Sequence, residues 1–418
     1  MRKPLFAIPS FPGSNGEVDN VKTLKRCGFD CFVFRWNDSL EKLKDVDGYF
    51  FGAGFSYEDR GRSGMVAARD PLFDYMRKEA ANGKVIVGNC NGAQVLVESG
   101  LIPLGDGLRM CLAHNALKSH DGGFESPGFL NEWVWITPAC NKNRCATSNW
   151  SGTLHIPIAH GEGRFVTRDK DLIDQLKKED QIAFQYCDAD GNISDQTPTT
   201  PNGSTLAIAG ICNREGNVVA LMPHPERTAL GDPYFLSILQ WMKKSDHYLP
   251  RKLQSTRAGR NSPHIEVRSP LPIEIFIDTI ITNNEERTVE QAARRIAPEI
   301  VLKQYRYIGL HADDSTQLLS QLSFFNPNKE IAYVKHAGIL QRWDPAARRP
   351  VPSSNNIFSG TTLLRRDLPD MKGSGIGKGA ETGVCYDCRS IDPKKLYEPT
   401  LCEVFCNPHS STLEVMSA

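Results

Sequence analysis

The chain has 418 residues, of which 40% are hydrophobic and 23% charged, with 34 glycines and 26 prolines. This composition excludes collagen-like, low-complexity and intrinsically disordered proteins. Because 49 Lys and Arg residues balance 49 Asp and Glu residues, the net charge gives no argument for nucleic-acid or anionic-membrane binding. The length predicts two or three domains, since one hydrophobic core rarely grows beyond about 250 to 300 residues.

The amino-terminal apolar run, Leu5 to Ile8, is too short for the core of a signal peptide. No stretch of about 18 apolar residues occurs elsewhere in the sequence. We therefore expect a soluble, cytoplasmic protein. Its 12 cysteines are then expected to be thiols, metal ligands or a nucleophile, because disulfides belong to oxidising compartments.

Residues 5–100 alternate short apolar runs with amphipathic segments, which predicts a parallel sheet covered by helices. Beyond residue 125 the apolar runs lie closer together, which predicts antiparallel strands added to that sheet. A helical pattern at 235–243 closes the region. We therefore expect an α/β domain over residues 1–248.

The rest of the chain is less regular, and it shows no internal repeat. Residues 249–271 contain five Arg or Lys residues against one acid, which predicts a basic linker that either docks an acidic partner or is a solvated tether. Residues 272–340 follow a β-α-β-α order, which predicts a small α+β domain. Residues 341–418 predict an irregular tail.

The segment from Lys84 to Val97 is the most informative about chemistry. An apolar strand enters the turn Gly88-Asn89-Cys90-Asn91-Gly92, and a helix follows. This is the arrangement of a nucleophile elbow, with Cys90 in place of serine. The turn projects the side chain from the strand end, and a helix N-terminus favours a thiolate. The alternative interpretation is a small, buried core cysteine.

A second segment supplies partners for such a nucleophile. A cysteine nucleophile needs a base, and the base needs an orienting acid. The apolar run Val218 to Met222 ends in Pro223-His224-Pro225-Glu226, which we expect at the same rim of the sheet as Cys90. A lone histidine after a strand is ordinarily a surface residue. In combination, however, Cys90, His224 and Glu226 predict a catalytic triad.

With these segments the chain resembles the class I glutamine amidotransferases, and most closely the family of glutaminase subunits of phosphoribosylformylglycinamidine synthase. The resemblance covers about residues 4–230 and implies a doubly wound, flavodoxin-like fold. Four further segments narrow the resemblance to this family. They are Phe11-Pro12-Gly13-Ser14-Asn15, Gly54-Phe55-Ser56-Tyr57, Ala159-His160-Gly161-Glu162-Gly163 and Pro201-Asn202-Gly203-Ser204.

The resemblance implies that Cys90 attacks the amide of glutamine and forms a glutamyl thioester, releasing ammonia. His224 would transfer the protons and Glu226 would orient the imidazole. The glutaminase would need no cofactor; ATP and Mg²⁺ are expected in a partner synthetase subunit. Residues 272–340 also resemble, by element order alone, the small accessory subunit of that synthase. The implied oxyanion and substrate contacts are Gly52, Ala53, Gly54, Asn91, Gln94 and His160.

The chain departs from this family at two positions. Ala53 and Glu58 stand where the family usually has glycine. Alanine at positive φ costs roughly 1 kcal/mol, so either Ala53 keeps a negative φ or the oxyanion hole is displaced. Two alternatives stay open: an amidotransferase that serves another acceptor, and a regulatory homologue without useful turnover.

The tail contains two close pairs of cysteines with 13 residues between them. This spacing is near that of a four-cysteine zinc ribbon, and a metal would stabilise a segment with few core residues. The alternative is that the thiols are not linked by a metal. The candidate zinc ligands are Cys385, Cys388, Cys402 and Cys406.

Overall fold

The computed structural model of the chain describes residues 2–119, 122–243, 265–312, 315–353, 356–377 and 379–416. It contains two compact units, unit 1 (Met1–Gly259) and unit 2 (Arg260–Ala418). Most of the predicted basic linker at 249–271 lies outside the described residues. Among the helices of the described ranges, none has the length and apolar character needed to cross a membrane.

Unit 1 combines a large mixed sheet with helices on both faces. Its strands are β1 (Leu5–Ser10), β2 (Asp30–Arg35), β3 (Gly48–Phe51), β4 (Val85–Asn89), β5 (Cys111–His114), β6 (Leu117–Lys118), β7 (Phe124–Glu125), β8 (Leu130–Pro138), β9 (Leu154–His160), β10 (Glu162–Val166), β11 (Ile182–Cys187), β12 (Ile208–Cys212) and β13 (Val218–Leu221). Its helices are α1 (Glu17–Arg26), α2 (Met65–Ala68), α3 (Leu72–Ala81), α4 (Asn91–Glu98), α5 (Leu172–Lys178) and α6 (Asp232–Met242).

The large sheet has nine strands in the order β2-β1-β3-β4-β13-β12-β11-β8-β9. The pairs from β2 to β13 are parallel, and the pairs from β13 to β9 are antiparallel. Strands β3 and β4 are buried along their whole length, as expected for parallel strands covered on both faces. The predicted doubly wound α/β fold with antiparallel additions is confirmed.

The order of the parallel strands positions the candidate site. Phe51 at the end of β3 pairs with Gly88, and Leu221 at the end of β13 pairs with Asn89. Because the carboxyl ends of parallel neighbours meet at one edge of a sheet, the segments that follow β3, β4 and β13 emerge side by side. Buried apolar clusters on the two faces of the sheet hold these strand ends in place.

Unit 2 is a sheet with helices between its strands, and its strand pairs are antiparallel except for the parallel pair of β14 and β22. Its strands are β14 (Glu266–Arg268), β15 (Ile273–Thr279), β16 (Val301–Leu310), β17 (Glu330–His336), β18 (Ile339–Asp344), β19 (Arg349–Pro352), β20 (Thr361–Asp367), β21 (Glu381–Arg389) and β22 (Ser411–Met416). Its helices are α7 (Asn284–Arg294), α8 (Thr316–Leu319), α9 (Met371–Ile376), α10 (Pro393–Leu396) and α11 (Pro399–Phe405).

The strands of unit 2 form two halves with the same order of elements. One half is β15-α7-β16-α8-β17, and the other is β20-α9-β21-α10-α11-β22. In the sheet, β15 lies between β16 and β17, and β20 lies between β21 and β22. The halves join where β16 pairs antiparallel with β21, with Tyr305 opposite Cys385. This arrangement is an internal pseudo-twofold repeat, although the sequence shows none.

Residues 341–418 therefore do not form the irregular tail that the sequence predicts. They contribute β19 to β22 and part of β18 to one sheet. The sequence conceals these strands because buried polar residues interrupt their apolar pattern. Asp387, for example, is fully buried in β21 and accepts hydrogen bonds from the backbone N–H groups of Ser359 and Gly360.

The predicted four-cysteine zinc site is wrong. Cys385 and Cys388 are three residues apart in β21, so their side chains lie on opposite faces of the sheet. Within the described ranges, no group of three or more His, Cys, Asp or Glu side chains could hold a metal ion. Burial raises the pKa of the Cys388 and Cys402 thiols. The sulfurs instead contact Met416 Sδ (from Cys385, 3.9 Å), the Tyr386 carbonyl (from Cys388, 3.9 Å), the Leu396 carbonyl (from Cys402, 3.3 Å) and Ser411 Oγ (from Cys406, 3.2 Å).

A buried ion-pair network joins β14 to the rest of unit 2. Arg268 donates to Glu414 Oε2 at 2.7 Å, to the Tyr307 hydroxyl at 3.0 Å and to Glu381. Its guanidinium also lies 3.6 Å from the buried Glu274. Burial lowers the pKa of Arg268, but the Tyr307 hydroxyl and the carboxylates around it raise the pKa by more than burial lowers it. The guanidinium therefore stays charged.

Replacing Arg268 with methionine removes this charge and keeps the length of the side chain. We expect Arg268→Met to lower the free energy of unfolding by about 3 to 5 kcal/mol, because the buried Glu274 loses the guanidinium beside it. Arg366 still pairs with Glu414 and Glu381 in this variant. The matched control is Arg2→Met, since Arg2 pairs with Asp47 at the surface, where an ion pair contributes about 1 kcal/mol or less. Thermal denaturation of both variants measures the difference, and equal losses would contradict the expectation.

Candidate active site

The turn between β4 and α4 holds Cys90 in a strained backbone conformation. Its φ of 50° and ψ of −110° lie outside the regions that non-glycine residues favour. The Cys90 N–H donates to the Leu221 carbonyl at 2.8 Å, which ties the turn to β13. A Cβ on Gly92 would lie 2.1 Å from the Phe51 carbonyl oxygen, so only glycine allows α4 to begin so close to β3. This geometry is that of a nucleophile elbow.

His224 and Glu226 form a buried pair beside the elbow. The imidazole Nδ1 lies 2.7 Å from Glu226 Oε1, and both side chains are almost completely buried. The other oxygen, Oε2, accepts from Asn89 Nδ2 at 3.1 Å. Asn89 Oδ1 in turn accepts from the Tyr234 hydroxyl at 3.2 Å. These contacts fix the carboxylate, which in turn fixes the imidazole ring.

The electrostatics of this group favour a charged imidazole on His224 and an ionised carboxylate on Glu226. Burial lowers the pKa of His224, but the negative charges of Cys90 and Glu226 outweigh burial and raise the pKa to about 10. Burial raises the pKa of Glu226, but the charge of the adjacent His224 lowers it by more than burial raises it. The pKa of Glu226 therefore lies below its usual value. The structure therefore favours an imidazolium near the Cys90 sulfur and an ionised Glu226. The ring Nε2 makes no hydrogen bond to the described residues.

A pocket of about 160 Å³ opens in front of the Cys90 sulfur. Four residues predicted from the sequence line it: Gly54, Cys90, Gln94 and His160. Gln94 is held in place by hydrogen bonds, since Oε1 accepts from Asn91 Nδ2 at 2.9 Å and Nε2 donates to the Glu162 carbonyl. The other lining residues are Phe55, Asp59, Ser63, His114, Phe129, Ala159, Gly161 and Glu162.

The predicted oxyanion residues stand at the start of α4 and in the turn after β3. Asn91 is the first residue of α4, so its N–H has no carbonyl partner within the helix. The Gly52 carbonyl accepts from Gly92 N at 3.0 Å, and the Ala53 carbonyl accepts from Gly16 N at 3.2 Å. Ala53 keeps a negative φ, so its Cβ causes no strain here. The oxyanion role of Asn91 and Gly54 stays a prediction.

Asp59 and Ser63 were not predicted from the sequence, and the structure places them in the wall of the pocket. They come together because Ser56 N donates to Asn91 Oδ1 at 3.1 Å, which attaches the loop after β3 to the start of α4. The signal in the sequence was the short polar run directly after Gly54-Phe55-Ser56-Tyr57. That run resembled an ordinary surface turn.

This loop contains three consecutive non-glycine residues in the left-handed region. Tyr57, Glu58 and Asp59 have φ values of 53°, 56° and 54°. An L-residue in this region is strained by roughly 1 to 2 kcal/mol. Such strain is common at functional sites, where the surrounding structure enforces it. Glycine, which the resemblance leads us to expect at the position of Glu58, would adopt this φ without strain.

Replacing Glu58 with glycine tests this strain. We expect Glu58→Gly to raise the free energy of unfolding by about 0.5 to 1 kcal/mol, because relief of the left-handed strain exceeds the entropy cost of glycine. The lost pair with Arg60 is largely exposed and contributes little. Chemical denaturation measures the change. Lys42→Gly, at a right-handed position of an exposed turn, is a control that we expect to destabilise.

Comparisons with known proteins show which family the chain is similar to. The family profile described as "CobB/CobQ-like glutamine amidotransferase domain" matches residues 3–244. Phosphoribosylformylglycinamidine synthase subunit PurQ of Methanothrix thermoacetophila is 44% identical over 225 residues, which cover 53% of this chain and 86% of the relative. The corresponding subunit of Pyrococcus horikoshii is 36% identical over 247 residues, which cover 57% of this chain and 99% of the relative.

Among solved structures, PurLQS from Thermotoga maritima aligns at 31% identity with a TM-score of 0.44, covering 58% of this chain and 100% of that chain. The family match at residues 3–244 includes the elbow, the buried histidine and its carboxylate. The chain belongs to the family of CobB/CobQ-like glutamine amidotransferase domains.

Proposed function

We propose that the chain is the glutaminase component of a phosphoribosylformylglycinamidine synthase, and that it releases ammonia from glutamine for a separate synthetase subunit. The observation that carries the proposal is the strained Cys90, which faces a small pocket beside a buried His224–Glu226 pair. The two relatives described above are each named phosphoribosylformylglycinamidine synthase subunit PurQ, and the chain covers 86% and 99% of their lengths.

The geometry supports a thioester mechanism. The Cys90 thiolate attacks the side-chain amide carbon of glutamine, and the resulting oxyanion accepts hydrogen bonds from backbone N–H groups at Asn91 and at the turn after β3. The imidazolium of His224 gives its proton to the departing nitrogen, which leaves as ammonia. Neutral His224 then takes a proton from water, which attacks the thioester and releases glutamate. Glu226 keeps the ring oriented throughout.

The second component of the proposal is the partner. The glutaminase steps use only side chains, backbone N–H groups and water, and ATP and Mg²⁺ are expected in the synthetase subunit. Unit 2 buries its own apolar clusters within a separate nine-stranded sheet. We propose that it takes the role of the small accessory subunit, which the order of elements at 272–340 suggests. Its pseudo-twofold form supports a module with two equivalent halves.

Two rival functions make different predictions. An amidotransferase for another acceptor would release ammonia from glutamine but would show no stimulation by the purine synthetase. A regulatory homologue would bind glutamine without releasing ammonia. His224, Glu226 and Asn89 are buried, which favours a working enzyme. Burying a charged group lowers the stability of the fold, so such a group is expected to have a functional role.

Replacing Cys90 with serine tests the nucleophile. We expect Cys90→Ser to abolish glutamine-dependent synthesis by the complex and to leave ammonia-dependent synthesis intact, because the pocket is retained and only the thiolate is lost. The control is Cys31→Ser on β2, which should keep both activities. Mass spectrometry after labelling with an alkylating glutamine analogue identifies the modified residue. Label on another cysteine, or turnover by Cys90→Ser, would refute the mechanism.

Replacing Glu226 with glutamine tests the orienting acid. We expect Glu226→Gln to lower kcat for ammonia release by about 10²- to 10⁴-fold, because the carboxylate holds the imidazole and stabilises its charged form. The pKa of His224 should fall from about 10, since one of the two negative charges that raise it is gone. Glutaminase assays and NMR titration of His224 measure these effects. Glu132→Gln, at an exposed position of β8, is the matched control.

A further inference from the structure

A buried amide stands directly before the nucleophile in the sequence. Asn89 is the last residue of β4 and is fully buried, in a strand that begins with the apolar run Val85 to Val87. A buried amide destabilises a fold unless it finds hydrogen-bonding partners. The partners of Asn89 therefore indicate what this position does that an apolar residue would not do.

Both polar atoms of the Asn89 side chain have a partner. Nδ2 donates to Glu226 Oε2 at 3.1 Å, and Oδ1 accepts from the Tyr234 hydroxyl at 3.2 Å. The Tyr234 hydroxyl also hydrogen-bonds to the side chain of Thr147, which is fully buried. The pocket in front of Cys90 is lined by other residues. These hydrogen bonds therefore reach the carboxylate from the side that faces away from the pocket.

This chain of hydrogen bonds has a direction. Burial raises the pKa of Tyr234, so its hydroxyl stays protonated and is a donor. The donor requires the amide oxygen of Asn89 on its own side, which turns the amide nitrogen toward Glu226. In a reversed amide, an oxygen atom would face the carboxylate and repel it. Tyr234 therefore determines which end of the Asn89 amide meets Glu226.

The Glu226 carboxylate is held at both of its oxygens. Oε1 lies 2.7 Å from His224 Nδ1, and Oε2 accepts from Asn89. The backbone of Glu226 is held as well, because its carbonyl accepts from the Thr23 hydroxyl at 2.7 Å. A carboxylate bound at one oxygen alone can rotate about its last carbon–carbon bond. The hydrogen bond from Asn89 prevents this rotation and so keeps the imidazole in one orientation.

We infer that Asn89 and Tyr234 are positioning residues for the glutaminase reaction, which hold the Glu226 carboxylate in the plane that orients His224. The inference rests on the proposed glutaminase function. Both residues act through the carboxylate and lie outside the lining of the pocket. Their loss should therefore lower kcat and leave KM for glutamine unchanged, since proton transfer by the imidazole depends on its orientation.

Two substitutions remove the polar groups and keep the space filled. Asn89→Leu should lower kcat for ammonia release by about 10- to 100-fold, the range for a lost hydrogen bond to a charged group. Tyr234→Phe deletes one hydroxyl and should lower kcat by about 3- to 10-fold, the range for a neutral hydrogen bond. KM for glutamine should change by less than about 2-fold in both variants. The assays use the full chain together with its synthetase partner.

A double-mutant cycle shows whether the Tyr234 hydroxyl acts through the Asn89 amide. In the Asn89→Leu protein, the hydroxyl has no amide oxygen to hold. Adding Tyr234→Phe to that protein should therefore change kcat by less than about 2-fold. Two independent packing defects would instead multiply, and the double variant would show the product of the two single losses.

The pH dependence of kcat is a readout that a packing defect would not move. Burial raises the pKa of Glu226, whereas His224 and the hydrogen bond from Asn89 lower it. Asn89→Leu removes a donor that favours the ionised carboxylate, so the pKa of Glu226 should rise. On acidification, activity should then be lost at a higher pH than in the wild type. The titratable groups that act on Glu226 or on its partner His224 are His224 itself, Tyr234, Cys90 and His160.

Tyr49→Phe is the matched control. Tyr49 on β3 is also fully buried, and its hydroxyl donates to the Glu79 carboxylate at 2.6 Å, outside the candidate site. Its loss should lower thermal stability but leave kcat, KM and the pH profile unchanged. Ammonia-dependent synthesis by the complex should persist in every variant, which reports folding and assembly. If Asn89→Leu fails to fold, the comparison of Tyr234→Phe with Tyr49→Phe decides the question.

Each outcome separates the inference from the proposed function. A kcat of Tyr234→Phe equal to that of Tyr49→Phe, multiplicative losses in the cycle, or a raised KM would overturn the inference while the glutaminase function stands. Wild-type protein that releases no ammonia from glutamine in the presence of the synthetase would instead overturn the proposed function. A loss confined to kcat, shared within the cycle and accompanied by the shift of the acidic limb, supports the inference.

Discussion

The positive φ of Cys90 is the constraint on which the candidate site depends. The chain can reverse from β4 into α4 within one residue only because Gly92 lets the helix start against the Phe51 carbonyl and because the Cys90 N–H is bonded to β13. The same reversal points the thiol out of the sheet and places the first N–H groups of α4 around it. Strain in the backbone is thus balanced by parallel strands on both sides, and the nucleophile is held in place before substrate arrives.

Charge burial explains the groups that surround the nucleophile. The side chains of Glu226 and His224 are almost completely buried. A buried ion pair is stable only if its remaining hydrogen-bonding atoms have partners. Asn89 donates to the carboxylate and is itself held by the Tyr234 hydroxyl, while the imidazole Nε2 makes no hydrogen bond to the described residues. The pocket differs from this group: Asp59 is half-buried, with Oδ1 3.4 Å from Asn91 Nδ2, and the ring nitrogens of the buried His160 make no hydrogen bond to the described residues.

Sequence patterns predicted unit 1 well because its strands are continuous apolar runs and its motifs are local. The elbow at Cys90 and the segment from Pro223 to Glu226 each lie within a few residues of a strand end, and parallel pairing brings strand ends together. Asp59 was missed because its place in the pocket depends on a contact across the chain, between Ser56 N and the Asn91 side chain. The left-handed φ of Asp59 could not be predicted from the sequence, since neither neighbouring residue is glycine.

The same reasoning failed for much of unit 2, because its strands are not continuous apolar runs. Its strands carry buried charges such as Asp387, whose energetic cost is offset by the backbone N–H groups of Ser359 and Gly360, which lie 28 and 27 residues away in the sequence. Hydrophobic alternation therefore vanishes while the sheet persists, and the two halves can share a topology without sharing residues. Tyr305 and Cys385 face each other at the centre of the repeat, yet nothing in their types implies equivalence. Where polar groups are satisfied by long-range contacts, the fold is specified by pairs of residues, and a pattern read along one segment contains only half of each pair.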